Sequence, residues 1–188
     1  MASTVAEPPK CVSRNPTDIS VTFDCAETMD DLELVKSLYL KLRESLIAYL
    51  GKFDDGSYFY QPTPKSNATA WIVPHISAFE KLMVTDKIPG FDFPQFITAE
   101  NVAIYRPGVK AYELARDEMM QISEAIELLK LTQKVSIGFL DDMIAGRNSV
   151  REVDHAVVVD KYLLNFSHET EHYGQLKYLL GTWKRMNS

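Results

Sequence analysis

The segment Phe166-Ser-His168-Glu-Thr-Glu-His172-Tyr-Gly-Gln175-Leu is where residue type and spacing point to chemistry. Two histidines four positions apart on a helix differ by about 40 degrees in direction and about 6 Å in height, so their rings converge on one face. Neutral imidazoles in that arrangement chelate a divalent metal ion. Lys161, Asn165 and Gln175 recur on the same face at steps of three and four, placed to orient a ligand or a bound water. Glu169 and Glu171 are the nearby candidates for proton transfer, although each points roughly 60 to 100 degrees off the histidine face. Solvated helix acids are the plainer reading of both.

The same five residues spell H-E-x-x-H, and H-x-x-E-H when read in reverse, so a metalloprotease has to be considered. That architecture needs a third ligand downstream. The 16 residues after His172 contain no His, Asp or Glu, and Gln175 and Tyr178 stand where the longer protease pattern requires Gly and His. The bland alternative is an exposed histidine pair without a metal; any third ligand would come from upstream, where His75 and His155 are the candidates, and that is no longer the protease architecture. His155 precedes His168 by 13 residues, which turns it about 140 degrees away on a continuous helix. His75 falls on a different helix, one that an antiparallel bundle can set beside the last.

Those residues need helices to position them, and the apolar pattern supplies four. The first is expected over Asp30 to Leu50, where Leu32, Val35, Tyr39, Leu42, Leu46 and Tyr49 form a stripe and Gly51 follows. A turn-rich loop, residues 53–66, leads to a second helix over Asn67 to Val84, capped by Asn67 or Thr69. Pro74 inside it either bends the first turns or marks where the regular helix begins. Residues 85–109 are irregular, with a short helix at about 95–104. A third long helix is expected over Ala111 to Gln133, on the stripe Ala115, Met119, Ile122, Ile126 and Leu129. A connection over Asp141 to Asn148 precedes the last helix. That helix starts either at the capping-box pair Ser149 and Glu152 or at an Asp154 cap, and it ends near Trp183. Four amphipathic helices with no convincing sheet imply an all-α, up-down four-helix bundle over residues 29–188. Residues 1–28, with Pro8, Pro9 and Pro16, read as an extended lead-in, and Ile19 to Phe23 alternates like a short strand.

Composition narrows the function. The chain has 188 residues, is 46% hydrophobic and carries a net charge of −6, a size and apolar content that suit one core. The basic residues form no stripe, which excludes a nucleic-acid surface. No stretch reaches the roughly 18 apolar residues of a membrane span, and the first residues lack the pattern of a secretory signal. The cytoplasm is therefore the expected location, with Cys11 and Cys25 as free thiols. A small-molecule substrate is the expected partner, and a homodimer is left open.

Two runs resemble a known family. Trp71-Ile-Val-Pro-His75-Ile-Ser-Ala-Phe-Glu80 resembles the second-helix motif of DinB-like proteins, in which a Trp precedes a metal-binding His. His168-Glu-Thr-Glu-His172-Tyr-Gly-Gln175-Leu resembles their last-helix motif, H-x-x-x-H followed by Gly-Gln. Order and spacing carry the resemblance over about residues 30 to 183. It implies a DinB-like bundle, His75, His168 and His172 as ligands, and zinc or nickel as the metal. Family members include transferases and isomerases that use low-molecular-weight thiols, and metal-dependent hydrolases. Three histidines leave coordination positions open, as a catalytic metal requires, and Trp71, Phe79 and Tyr173 are the aromatics that could line the pocket. The alternatives are a non-catalytic metal-binding or structural protein, and a cyclase or isomerase that uses the bundle cavity without metal.

Overall fold

The computed structural model describes residues 30–188, apart from positions 92, 94, 95, 110, 111, 113, 148, 149 and 151. The expected lead-in, the strand-like Ile19 to Phe23, both cysteines and Ser149 lie outside the described residues. Among the described residues every regular element is helical.

Helix α1 spans Asp31–Leu50, and the Asp30 carboxylate caps it by accepting from the Leu32 N–H at 2.9 Å. A single turn, α2, covers Asp55–Tyr58, and α3 covers Thr69–Phe79. Neither expected cap serves α3, because Ala68 is its N-cap residue and makes no side-chain cap. Pro74 lies within α3 without ending it. Every residue from Thr69 to Glu80 is buried, so packing on all sides holds together a helix that has lost one backbone donor. The helix continues through a π-helical turn, Glu80–Val84, and a 3₁₀ turn, Thr85–Lys87. A short helix, α4, covers Ala99–Tyr105 under a reciprocal Thr98–Asn101 cap.

The third long helix corrects the sequence reading. It is α5, Ile122–Ile144, about eleven residues later than expected at both ends. Ala115 and Met119 share the phase of the stripe but lie before the helix, where the Glu118 side chain accepts from the Ala115 N–H at 2.6 Å around a 3₁₀ turn. At the far end the apolar stripe stops because Thr132 and Ser136 occupy buried positions, yet the helix runs on through Leu140 and Met143. Gly146, at φ 60°, turns the chain towards the last helix. That helix, α6, spans His155–Met186, and Asp154 caps it by accepting from the Ala156 N–H at 2.9 Å. The later of the two expected starts is the observed one.

Helices α1 and α3 each pack against both α5 and α6, which makes the four long helices a bundle. Among the described residues its core has a small apolar cluster around Phe93, Ile97 and Leu128 and two large ones. One gathers around Leu46, Leu50, Ile72, Ile76, Leu129 and Leu176, the other around Leu32, Val35, Tyr39, Leu140, Val158 and Tyr162. Between them in sequence, on every long helix, come buried polar residues: Arg43 on α1, Glu80 after α3, Thr132 and Ser136 on α5, and Asn165 and Glu169 on α6. The polar layer joins all four helices through one guanidinium. Arg43 donates to both oxygens of Glu169, Nε at 2.6 Å and Nη2 at 2.9 Å, and to Glu80 at 2.7 Å. It also donates to Thr132 Oγ1 at 2.8 Å and to the Leu129 carbonyl at 3.2 Å. Tyr39 and Ser136 both donate to Glu80 Oε1. Arg43, Glu80 and Glu169 are all 0% exposed.

Burying charge is costly unless the geometry satisfies every partner, and a bidentate Arg–carboxylate pair is the arrangement that does so best. Burial alone would lower the Arg43 pKa, and Glu169, Tyr39 and Glu80 together outweigh it, so the guanidinium stays above its ordinary value. Burial pushes the Glu169 carboxyl up, and the Arg43 charge opposes that shift.

Candidate metal centre

Helix α3 presents His75 and helix α6 presents His168 and His172, and the packing of these two helices brings the three rings together. His75 Nε2 lies 3.2 Å from His168 Nε2, and His172 Nε2 lies 3.1 Å from the same atom. One ring nitrogen from each residue falls within 4.8 Å of the other two. His75 and His172 are buried, and His168 is half-buried.

The outer ring nitrogens decide which lone pairs face inward. His75 Nδ1 stands 2.6 Å from the Tyr105 carbonyl oxygen. A carbonyl only accepts, so His75 carries its proton on Nδ1 and leaves Nε2 bare. His172 Nδ1 stands 3.0 Å from Gln175 Oε1. The Gln175 amide nitrogen faces Glu171 Oε1 at 3.4 Å, which orients the amide oxygen towards the imidazole. His172 Nε2 is then bare as well. His168 Nδ1 is buried and has no hydrogen-bond partner among the described residues.

Two inward lone pairs around a third nitrogen at hydrogen-bonding distance cannot all be satisfied by one shared proton, and a cation satisfies all three. Zinc–imidazole bonds of about 2.0–2.1 Å at tetrahedral angles set ligand nitrogens about 3.3–3.4 Å apart. The observed separations of 3.1 and 3.2 Å come within a few tenths of an ångström of that spacing. The residues present therefore fit a divalent ion.

Electrostatics agree with that assignment. Burial lowers His75 to about 4 against the help of its Tyr105 hydrogen bond, with a further push from His172. Burial lowers His168 to about 3, and the other two rings add to the effect. Burial also lowers His172, opposed by Gln175 and the charge of Glu171. All three are neutral at physiological pH, the form that binds a metal.

The aromatic setting is specific. Trp71 stacks on His75 with centroids 4.4 Å apart, and its Nε1 donates to the Ile104 carbonyl at 3.3 Å. Phe79 stacks on His168 with centroids 3.5 Å apart. Tyr173 lies elsewhere, edge-on to Tyr49 and under the Lys177 ammonium. Of the other sequence candidates, Gln175 touches His172, whereas half-exposed Lys161 pairs with Asp160. Asn165 is fully buried one turn before His168. Glu169 does not behave as a solvated acid: both its oxygens are committed to Arg43. Glu171 is exposed and meets Gln175. His155 is the exposed first residue of α6, outside the cluster.

Sequence reasoning missed Arg43, Glu80 and the Tyr105 carbonyl. A signal existed for Arg43, because the buried α1 stripe is Tyr39, Arg43, Leu46 and Leu50, and Arg43 continues its phase. Reading Leu42 and Tyr49 into the stripe hid a charged residue on the core face. A backbone carbonyl such as that of Tyr105 leaves no trace in residue type.

A sequence model described as the DinB superfamily matches residues 38–176, a span that holds Arg43 and all three imidazoles. No curated protein and no solved structure matches the chain.

Proposed function

The chain belongs to the DinB superfamily, and from that premise we propose that it is a metal-dependent enzyme in which His75, His168 and His172 hold a divalent ion, zinc or nickel, that activates a thiol or water towards an electrophilic small molecule. The observation that carries the proposal is the convergence of three Nε2 atoms at 3.1 and 3.2 Å, two of them with their Nδ1 atoms engaged.

When bound, such an ion supplies Lewis acidity: with three protein ligands it keeps open positions, and it lowers the pKa of a coordinated water or thiol. The chain's own groups do the rest. The Tyr105 carbonyl and the Gln175 amide fix the tautomers and ring directions of His75 and His172. Trp71 and Phe79 cover ring faces and exclude water from them, which strengthens the electrostatics of the site. The Arg43–Glu169 pair, rooted one residue from His168, locks α6 against α1 so that the histidine face stays turned towards α3. No described carboxylate is free beside the three rings to act as general base, since Glu169 is committed to Arg43 and Glu171 faces outwards. Acidifying a water or thiol would then fall to an ion held by His75, His168 and His172.

The test is a panel of low-molecular-weight thiols and water against electrophilic small molecules, with the metal-loaded protein and again after chelation. The proposal expects turnover that chelation abolishes and added metal restores. Turnover that survives chelation would place the chemistry in the bundle cavity without metal. A loaded protein that is inert across the panel, yet gains thermal stability from the metal, would make the site structural.

A further inference from the structure

Two of the three imidazoles have an identified partner for their outer nitrogen, and the third does not. His168 Nδ1 is buried and has no hydrogen-bond partner among the described residues. A metal-ligating histidine needs such a partner, because giving the Nε2 lone pair to the ion forces the proton onto Nδ1, where it must be accepted.

On the same helix, three positions earlier, Asn165 is 0% exposed, and neither its amide oxygen nor its amide nitrogen has a partner among the described residues. Side chains three apart on a helix are neighbours, and those of a helix lean towards its N-terminus, so the His168 ring lies over the turn that carries Asn165. An amide is also the one neutral side chain that both donates and accepts. With no ion present, a His168 ring protonated on Nε2 offers a bare Nδ1 to the amide N–H. With the ion bound, Nδ1–H faces the amide oxygen. His168 Nδ1 and the Asn165 amide, two of several buried polar groups without a partner among the described residues, complement each other in both states.

We propose that Asn165 is the positioning residue of His168: its amide oxygen accepts the Nδ1–H of that ring, directly or across one water molecule, and so turns the Nε2 lone pair towards the metal. This rests on the three-histidine reading above and adds the missing support of the third ligand. Neither the hydrophobic pattern nor the apolar packing requires an asparagine there. On the α6 stripe its neighbours are Val158 and Tyr162 on one side, and Glu169, which Arg43 satisfies, on the other.

The test uses the full chain in three forms: wild type, Asn165→Leu, which removes both hydrogen-bonding atoms, and Asn165→Asp, which keeps an acceptor. Zinc affinity is measured by competition with a chelator, and thermal unfolding is recorded on the chelator-stripped proteins. The protonated nitrogen of each imidazole is read from long-range proton–nitrogen spectra of the zinc-loaded wild type. The proposal expects zinc affinity to fall about 10- to 100-fold in Asn165→Leu, to recover in Asn165→Asp, and His168 to carry its proton on Nδ1. Stripped Asn165→Leu should unfold as wild type does, or at a higher temperature. Zinc affinity unchanged in Asn165→Leu, or a loss that Asn165→Asp does not recover, overturns the proposal while the three-histidine site stands. If Asn165→Leu fails to fold, the wild-type spectrum decides, and a His168 proton on Nε2 in the loaded protein overturns it. A wild type that binds no zinc defeats the underlying metal reading instead, a result distinct from the others.

Discussion

Nε2 of His75 and Nε2 of His168 stand 3.2 Å apart although 93 residues separate them in the chain. Two imidazole nitrogens at this distance share one proton or turn both lone pairs to a common cation, and His172 completes the set at 3.1 Å from His168. The arrangement depends on α3 and α6 being locked in register, and each prediction below probes one part of that lock.

Gln175 accepts from His172 Nδ1 through its amide oxygen. Replacing it by leucine keeps the apolar packing and removes the acceptor. Metal affinity should fall about 10- to 100-fold, with unfolding free energy within about 1 kcal/mol of wild type, as for a half-buried position outside the core. Gln175→Glu, which retains the acceptor, should bind metal at least as well as wild type. Chelator competition and urea denaturation measure the two quantities. Equal affinity in Gln175→Leu would show that His172 needs no such support.

Arg43 holds two buried carboxylates at once. Arg43→Met strands both negative charges in the core and should cost about 3–5 kcal/mol of stability. The triple variant Arg43→Met, Glu80→Gln, Glu169→Gln removes the stranded charges and should recover much of the loss. Denaturant titration gives both values, and a cost below about 1 kcal/mol for Arg43→Met would mean that the polar layer does not hold the bundle together.

Stability of the metal-free protein should fall with acid. All three site histidines are held below the ordinary value of 6.5, His75 at about 4 and His168 at about 3. Between those values and 6.5 the unfolded chain binds protons that the folded chain refuses, so stability rises with pH across that window and is lost as pH drops from 6.5 towards 4. The thermal midpoint of chelated protein should decline steadily over that range, and His168→Gln should flatten part of the slope. A flat profile in wild type would contradict the burial of the neutral rings.

How far the sequence carried can be judged residue by residue. The H-x-x-x-H pair was legible because helical spacing alone makes two rings converge, and the Trp71 to His75 run pointed to the third ring. Helix α1 was legible from its caps and stripe. Helix α5 was misplaced because Thr132 and Ser136 serve the Arg43 and Glu80 charges, so a polar layer interrupts the apolar period within the helix. Glu169 was assigned to solvent for the same reason, its partner being 126 residues away. Long-range charge pairing is invisible to local periodicity, and so is a carbonyl such as that of Tyr105.

Metal content tests the central claim most directly. Wild-type protein and the His75→Ala, His168→Ala and His172→Ala variants are loaded with zinc, desalted and assayed for bound ion, with His155→Ala as the control. The account predicts one ion per chain in wild type and in His155→Ala, and loss of stoichiometric binding when any of the three site histidines is removed. Substoichiometric zinc in wild type, or undiminished zinc in His168→Ala, would contradict it.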